Sequence, residues 1–282
     1  MASEPGINAD LHCHSLVSDG LLGPADLARR AHANGVVLWA LTDHDELAGV
    51  HEARRSAESL GMSFVSGVEI SATWANRTIH VVGLRVDPDN AELNAGLAGI
   101  RADRLSRGRV MADRLEALGF KGAYEGAMRH AESPSLLART HFARFLVESG
   151  HCTHIQQAFD RYLGDGKPAN VRIDWASLRQ AVRWIHAAGG RAVLAHPGRY
   201  AYTAMQFDAL FSEFKDLGGE GIEVVTGSHR PEQYREYADV ARRFGFLASR
   251  GSDFHAPGES RIDLGKLPPL PDRLVPIWHD WV

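Results

Sequence analysis

Nine side chains able to hold a metal ion stand in short, widely separated stretches of this chain. The stretches are Asp10-Leu11-His12-Cys13-His14, Leu41-Thr42-Asp43-His44-Asp45, Gly67-Val68-Glu69-Ile70, Ala195-His196-Pro197 and Gly251-Ser252-Asp253-Phe254-His255, with Asp19 and His80 near the first and third. His12, His14, His44, His80, His196 and His255 are six of the chain's fifteen histidines, and Asp19, Glu69 and Asp253 add three carboxylates. One metal site needs only about four to six ligands. Nine therefore point to two or three divalent ions side by side, the equipment for hydrolysing phosphate esters. Imidazole and carboxylate without thiolate suit Mn²⁺ first, with Fe²⁺ or Zn²⁺ as alternatives. Two such ions can share one water and lower its pKa toward neutrality, so the expected nucleophile is a bridging hydroxide rather than a Ser or Cys.

Residues so far apart need a fold that brings them to one point. Candidate strands lie at 7–11, 36–41, 64–68, 78–84, 192–195, 221–225 and 246–249, with amphipathic helical stretches at 24–34, 45–60, 175–188, 207–217 and 231–244. Pro24 and Pro231 suit first-turn positions, and glycines such as Gly61 and Gly245 close the helices. The alternation argues for a parallel sheet, open or closed into a barrel. In a β/α barrel the C-terminal strand ends converge on one mouth. His44, Glu69, His196, Asp253 and His255 all fall at or just beyond such ends, whereas His80 begins its strand. His12 and His14 share one face of a strand, and Cys13 points the other way.

Residues 91–168 break the rhythm, reading as helices at 91–118, 124–131, 140–148 and 155–163 with no convincing strand. The expected organisation is a barrel from 1–90 and 169–282 with an all-helical insertion at 91–168, a candidate substrate lid.

The chain has 282 residues and net charge −4, from 31 basic against 35 acidic residues. That balance argues against a surface built to coat duplex nucleic acid. Two cysteines, Cys13 and Cys152, give no disulfide framework and fit a reducing cytoplasm. The N-terminus does not read as a signal peptide, no apolar run approaches the ~20 residues of a membrane span, and no obligate protein partner is evident. His151-Cys152-Thr153-His154 reads as structural, lacking a second cysteine pair.

The segments DLHCHSLVSDG, LTDHDELAG, GVEISA, IHVVGL, AHPGRY and GSDFHAP resemble the polymerase and histidinol phosphatase (PHP) family. The resemblance covers both ends of the chain and omits the helical middle. It implies a distorted seven-stranded (β/α)7 barrel, an α/β fold, with a trinuclear metal centre that hydrolyses phosphate esters. Carried over, His12, His14, Glu69 and Asp253 hold the first ion. Glu69, as a bridge, with His80 and His196 holds the second. Asp19, His44 and His255 hold the third. Within the family the chain is most similar to small bacterial enzymes acting on nucleoside 3′,5′-bisphosphates and on 5′ ends of short RNA. Ala138-Arg139-Thr140-His141-Phe142-Ala143, Gly166-Lys167-Pro168-Ala169-Asn170-Val171 and His196-Pro197-Gly198-Arg199-Tyr200 carry that closer likeness, with Thr140 standing where the subgroup often has Pro.

Substrate choice must come from groups beyond the metal ligands. Arg199, three residues past His196, belongs near the mouth and suits a second phosphate bidentately. Ser135, Arg139, His141, Lys167 and Arg172 come from the insertion or its exit and are expected to close over the substrate. His229, beyond the 221–225 strand, is expected to face the pocket as a catalytic or binding group. Asp45 or Asp43 is expected to orient His44, with N-capping of the next helix as the other reading of Asp45. The basic region 101–114 reads as a solvated helix face or a guide for an RNA end. The readings are a phosphatase converting nucleoside 3′,5′-bisphosphates to 5′-monophosphates, a 5′→3′ exoribonuclease on short RNA, a histidinol phosphatase, and a non-catalytic PHP module.

Overall fold

The computed structural model describes residues 6–281. Its strands are β1 (Ala9–Asp10), β2 (Leu38–Leu41), β3 (Ser63–Trp74), β4 (Arg77–Leu84), β5 (Ala176–Ser177), β6 (Arg191–Leu194), β7 (Gly221–Thr226) and β8 (Leu247–Gly251). Seven of them form a sheet in the order β1-β2-β3-β4-β6-β7-β8, and the short β5 pairs with β3. The sheet curls until its ends meet: the Leu11 N–H donates to the Arg250 carbonyl (3.0 Å), the Asp253 N–H to His12 (2.8 Å) and the His14 N–H to Phe254 (2.8 Å).

The expectation of a parallel sheet fails at β4, which runs antiparallel to both β3 and β6. β3 and β4 form a hairpin whose turn residues, Ala75 and Asn76, have φ of 44° and 64°. Two left-handed residues make the tight turn that matches strand twist. This reversal explains His80: the start of an antiparallel strand lies at the same mouth as the ends of its parallel neighbours.

Alternate strand positions face inward. Ala9, Leu11, Leu38, Ala40, Val65, Val82, Leu84, Val193 and Ala195 form one apolar cluster, closed by Ile277 and Trp278. Glu69 lies four residues beyond Val65, and His80 two before Val82, so both continue that face. The opposite faces pack on helices α1 (Pro24–Ala33), α2 (Val50–Ser59), α7 (Leu178–Ala187), α8 (Ala204–Asp216) and α9 (Pro231–Phe244). Local signals set these helices. Ser177 and Thr203 cap α7 and α8 in capping boxes with Gln180 and Gln206, while Pro231 opens α9 and left-handed Gly245 (φ 66°) ends it.

Between β4 and β5 the chain is helical: α3 (Ala91–Ala117), α4 (Ala123–Met128), α5 (Arg139–Glu148) and α6 (Ile155–Ala158), the last running into a π-turn at Phe159–Leu163. This segment has its own apolar cluster around Met111, Leu115, Phe142, Phe145 and Leu146. No helix of the described residues is long and apolar enough to cross a membrane.

Candidate metal centre and substrate cavity

All nine residues singled out as ligands meet at the barrel mouth. Glu69 is fully buried at the centre. Its Oε1 lies 2.8 Å from His196 Nε2 and 2.9 Å from His80 Nδ1, and its Oε2 lies 2.8 Å from His44 Nδ1. His12 Nε2 and His14 Nε2 are 3.2 Å apart, on the shared face their spacing requires. Asp253 Oδ1 sits 3.2 Å from His14 Nε2. Cys13 points away, its Sγ accepting from Trp39 Nε1. Three groups bring ligand atoms within 4.8 Å of one another: His14, Asp19, His44 and His255; His12, His14 and Asp253; and His44, Glu69 and His80.

These residues fit divalent ions. His14 Nδ1 and Asp19 Oδ1 are buried without a hydrogen-bond partner, and the 2.8 Å approach of His44 Nδ1 to Glu69 Oε2 lacks hydrogen-bond geometry. Unpaired buried polar atoms are costly, and a cation among them removes the cost. Burial holds His14 and His196 as neutral imidazoles, pushed down to about 3. Burial works the other way on Glu69, Asp19 and Asp253, yet the surrounding histidines hold all three carboxyls well below the usual range. Neutral imidazole and ionised carboxylate are the forms that coordinate. Burial works against charge on His255, His12 and His44 as well, yet their carboxylate neighbours raise all three, His255 to about 9, so these imidazoles must release a proton to coordinate an ion.

Neighbours fix the ligands' orientations. Glu223 on β7 is buried. Its Oε1 accepts from His12 Nδ1 (2.8 Å), so Nε2 is the His12 atom turned to the centre, and its Oε2 accepts from the His196 backbone N–H (2.6 Å). A bulge in β7 between Glu223 and Val225 shifts the register there. Sequence reasoning missed Glu223; the available signal was a lone carboxylate inside the apolar run Gly221-Ile222-Glu223-Val224-Val225. Asp43 does not orient His44. It binds the loop before Asp19, accepting from the Ser15 N–H (2.7 Å), Ser15 Oγ (2.6 Å) and Ser18 Oγ (2.6 Å). Asp45 is not the N-cap of α2, since Gly49 precedes that helix. Its carboxylate accepts from the Ser71 N–H (2.7 Å) and Arg104 Nε (2.8 Å).

Beside the cluster opens a cavity of about 590 Å³. Asp19, His44, His80, Asp253 and His255 form one wall, and Arg104, Arg107, Arg139 and Arg199 project from the others. Arg104 and Arg107 overturn the reading of 101–114 as a solvated face. They are 5% and 8% exposed, and their guanidinium groups lie 5.2 and 5.3 Å from the Trp175 ring centre. The missed signal was their spacing: with Leu97, Ile100, Met111 and Leu115 they continue the buried stripe of α3.

The other substrate candidates divide. Arg139 and Arg199 line the cavity, Arg139 pairing with Asp165 (3.2 Å) and Arg199 donating to Asp253 (3.1 Å). Lys167 is exposed in an adjoining groove. Ser135, His141 and Arg172 do not line the cavity. Ser135 bonds to Ser133 Oγ (2.8 Å), Arg172 is exposed elsewhere, and His141 is buried with Nδ1 accepting from the Ala138 N–H (3.0 Å). His229 does not face the cavity either. It is 1% exposed, its Nε2 accepts from the Gly198 N–H (3.0 Å) and its Nδ1 donates to the Val224 carbonyl (3.2 Å). It anchors the turn that carries Arg199. His154 caps α6 through Gln157, in keeping with the structural reading of the 151–154 motif.

A model of the PHP domain matches residues 10–242. The chain belongs to the PHP domain family. This PHP protein is 47% identical to a 3′,5′-nucleoside bisphosphate phosphatase of Chromobacterium violaceum, over 97% of this chain and 96% of that one. It is 43% identical to a 5′-3′ exoribonuclease of Haemophilus influenzae, over 96% and 97% of the two chains. Among solved structures it superposes on an amidohydrolase from Chromobacterium violaceum with TM-score 0.94 at 47% identity, covering 96% of this chain and 95% of that one. A chain from Bifidobacterium adolescentis, described as a metal-dependent phosphoesterase, superposes with TM-score 0.81 at 28% identity, over 98% and 95%. The PHP protein thus has the fold of a metal-dependent phosphoesterase, with a His, Asp and Glu cluster able to bind metal ions.

Proposed function

We propose that this PHP protein removes the 3′-phosphate from nucleoside 3′,5′-bisphosphates, leaving the nucleoside 5′-monophosphate. The observation that carries the reading is the pairing of a nine-ligand cluster with five arginines, Arg104, Arg107, Arg139, Arg199 and Arg261, around one cavity. A substrate with two phosphates needs one site that activates phosphorus and a second that only binds charge. The likeness to the Chromobacterium violaceum phosphatase over nearly the whole chain supports it.

In this reading His12, His14 and Asp253, with Glu69 between them and His80 and His196, hold two ions, and Asp19, His44 and His255 hold a third. Mn²⁺ is the proposed metal, because the donor set lacks sulfur. When bound, such ions supply Lewis acidity toward phosphoryl oxygens and acidify water. The protein's own groups do the rest. Glu223 keeps His12 in one tautomer, and Glu69 stays ionised amid the histidines. Arg199, tied to Asp253, sits where charge grows on the transferring phosphoryl group. Arg104, Arg107 and Arg139 bind the phosphate that is not cleaved, with Trp175 backing the first two. The helical segment covers the cavity as a lid.

A second reading, 5′→3′ cleavage of short RNA, has support of its own. A groove carrying Arg77, Lys167 and Tyr202 shares Thr78, Arg139, Gln156, Phe159 and Arg199 with the cavity and so adjoins it on that side. A 3′-phosphodiester would present the same phosphoryl atoms, with the remaining chain lying outside.

Phosphate release by the Mn²⁺-loaded protein from adenosine 3′,5′-bisphosphate, beside 5′-AMP, 3′-AMP, histidinol phosphate and a short 5′-phosphorylated RNA, tests both. Fast release from the bisphosphate with 5′-AMP as product is expected. Silence there with turnover of the RNA would replace the first reading by the second.

A further inference from the structure

The helical segment grips the three loops that carry Asp19, His44 and His255. In the first turn of α5, Thr140 Oγ1 donates to Asp19 Oδ2 (2.8 Å). That leaves Asp19 Oδ1 facing His255 Nε2 (3.3 Å), His14 Nδ1 (4.0 Å) and His44 Nε2 (4.0 Å). One helical turn later Arg144, 5% exposed, donates to both carboxylate oxygens of Glu259: Nε to Oε1 (3.0 Å) and Nη2 to Oε2 (2.8 Å). Glu259 belongs to the turn that supports His255, whose N–H donates to Ser260 Oγ (2.7 Å). From α3, Arg101 donates to the Asp45 carbonyl (2.8 Å) and Arg104 Nε to its carboxylate (2.8 Å), fixing the residue after His44 in a left-handed conformation (φ 53°).

Among the described residues, no hydrogen bond joins the helical segment to His12, Glu69, His80 or His196. The barrel serves those four through Glu223, Tyr200 and the ligands themselves.

We infer that cation binding at the His14, Asp19, His44 and His255 cluster and docking of the helical segment on the barrel are one coupled equilibrium, with Thr140, Arg144 and Arg104 as the positioning residues. Three loops must be held together for the cluster to exist, and the helices that hold them also wall the cavity. Coupling of this kind is reciprocal: a cation there must tighten the helices by as much as the docked helices tighten the cation. The inference rests on the ligand assignment proposed above.

The test uses the full chain with Mn²⁺ alone. Bound Mn²⁺ is counted by equilibrium dialysis, and amide exchange is followed with and without metal in the wild type, Thr140→Val and Glu259→Gln. Glu148→Gln serves as control, because exposed Glu148 pairs only with exposed Arg129 and half-buried His130, away from the barrel loops. Mn²⁺ is expected to slow exchange in α5 and around Arg101 in the wild type. Loss of one hydrogen bond to a carboxylate should weaken one ion per chain by about tenfold while the others stay unchanged, and should shrink the protection of α5. Mn²⁺ binding that is identical in all four proteins, or an α5 indifferent to metal, would overturn the coupling alone. Failure of the wild type to bind Mn²⁺ at all would overturn the ligand assignment with it.

Discussion

Glu69 and His80 lie in strands, and His12 and His196, just past strand ends, are held by buried Glu223 within the barrel, whereas Asp19, His44 and His255 stand on loops gripped from outside by the helical segment. The two halves of the cage meet 2.8 Å apart, at Glu69 and His44. A strand-held ligand takes its position from the ladder beneath it, and moving it means breaking the barrel. A loop-held ligand can move on a far smaller energy scale, since loops open locally without global unfolding. The contrast suits a metal-dependent phosphoesterase whose barrel keeps its register while the loops beside it can move.

The contrast can be broken most severely at its centre. Glu69→Gln removes the carboxylate that touches both halves. It should lower kcat/KM by roughly a thousandfold and strip metal from both, as read by turnover and metal content. Loss of metal from one half only would mean that Glu69 does not join them. Next comes Glu223→Gln, which disturbs the strand-held half alone. A drop of about 10- to 100-fold in metal affinity or activity is expected, larger than that for Thr140→Val. The reverse ranking would show that the loops, not the strands, limit the site.

Acid gives a smaller effect. Burial holds His141 on α5 and His229 on the barrel down to about 4. Both are neutral when folded, so their contribution to stability is complete above the unfolded value near 6.5 and is lost as pH falls from there toward 4. Urea midpoints should therefore decline between pH 6.5 and 4.5, and His229→Gln should flatten that decline. An unchanged slope would mean that His229 is not the group taking up the proton. The smallest effect is expected at Arg172, exposed and outside the cavity. Arg172→Ala should leave kcat/KM within about twofold on the bisphosphate. A larger loss would extend the substrate path past the segment's exit.

Much of the cage was legible from residue types. Histidines and carboxylates at successive strand ends have few other reasons to cluster, and His12 and His14 carried their own geometry in the two-residue strand period. His80 looked misplaced because a strand's direction is not written in its pattern. Arg104 and Arg107 were misread because charge usually means solvent, although their positions in the α3 stripe marked them as buried. His229 was misread because a position just beyond a strand does not say which way the side chain turns. In the structure, backbone partners at both ring nitrogens turn it away from the cavity.

The sequence by itself determined the donor set, one able to bind metal ions, and the alternation of apolar and polar residues that makes strands and helices. Those depend on chemistry and period, which are local. Only the tertiary structure decided that β4 runs backwards, that α3 brings two arginines over Trp175, and that Thr140 and Arg144 reach the loops of one metal cluster. The first turns on the backbone conformation of two residues, Ala75 and Asn76, and the other two on contacts between residues tens to more than a hundred positions apart; no local period encodes either.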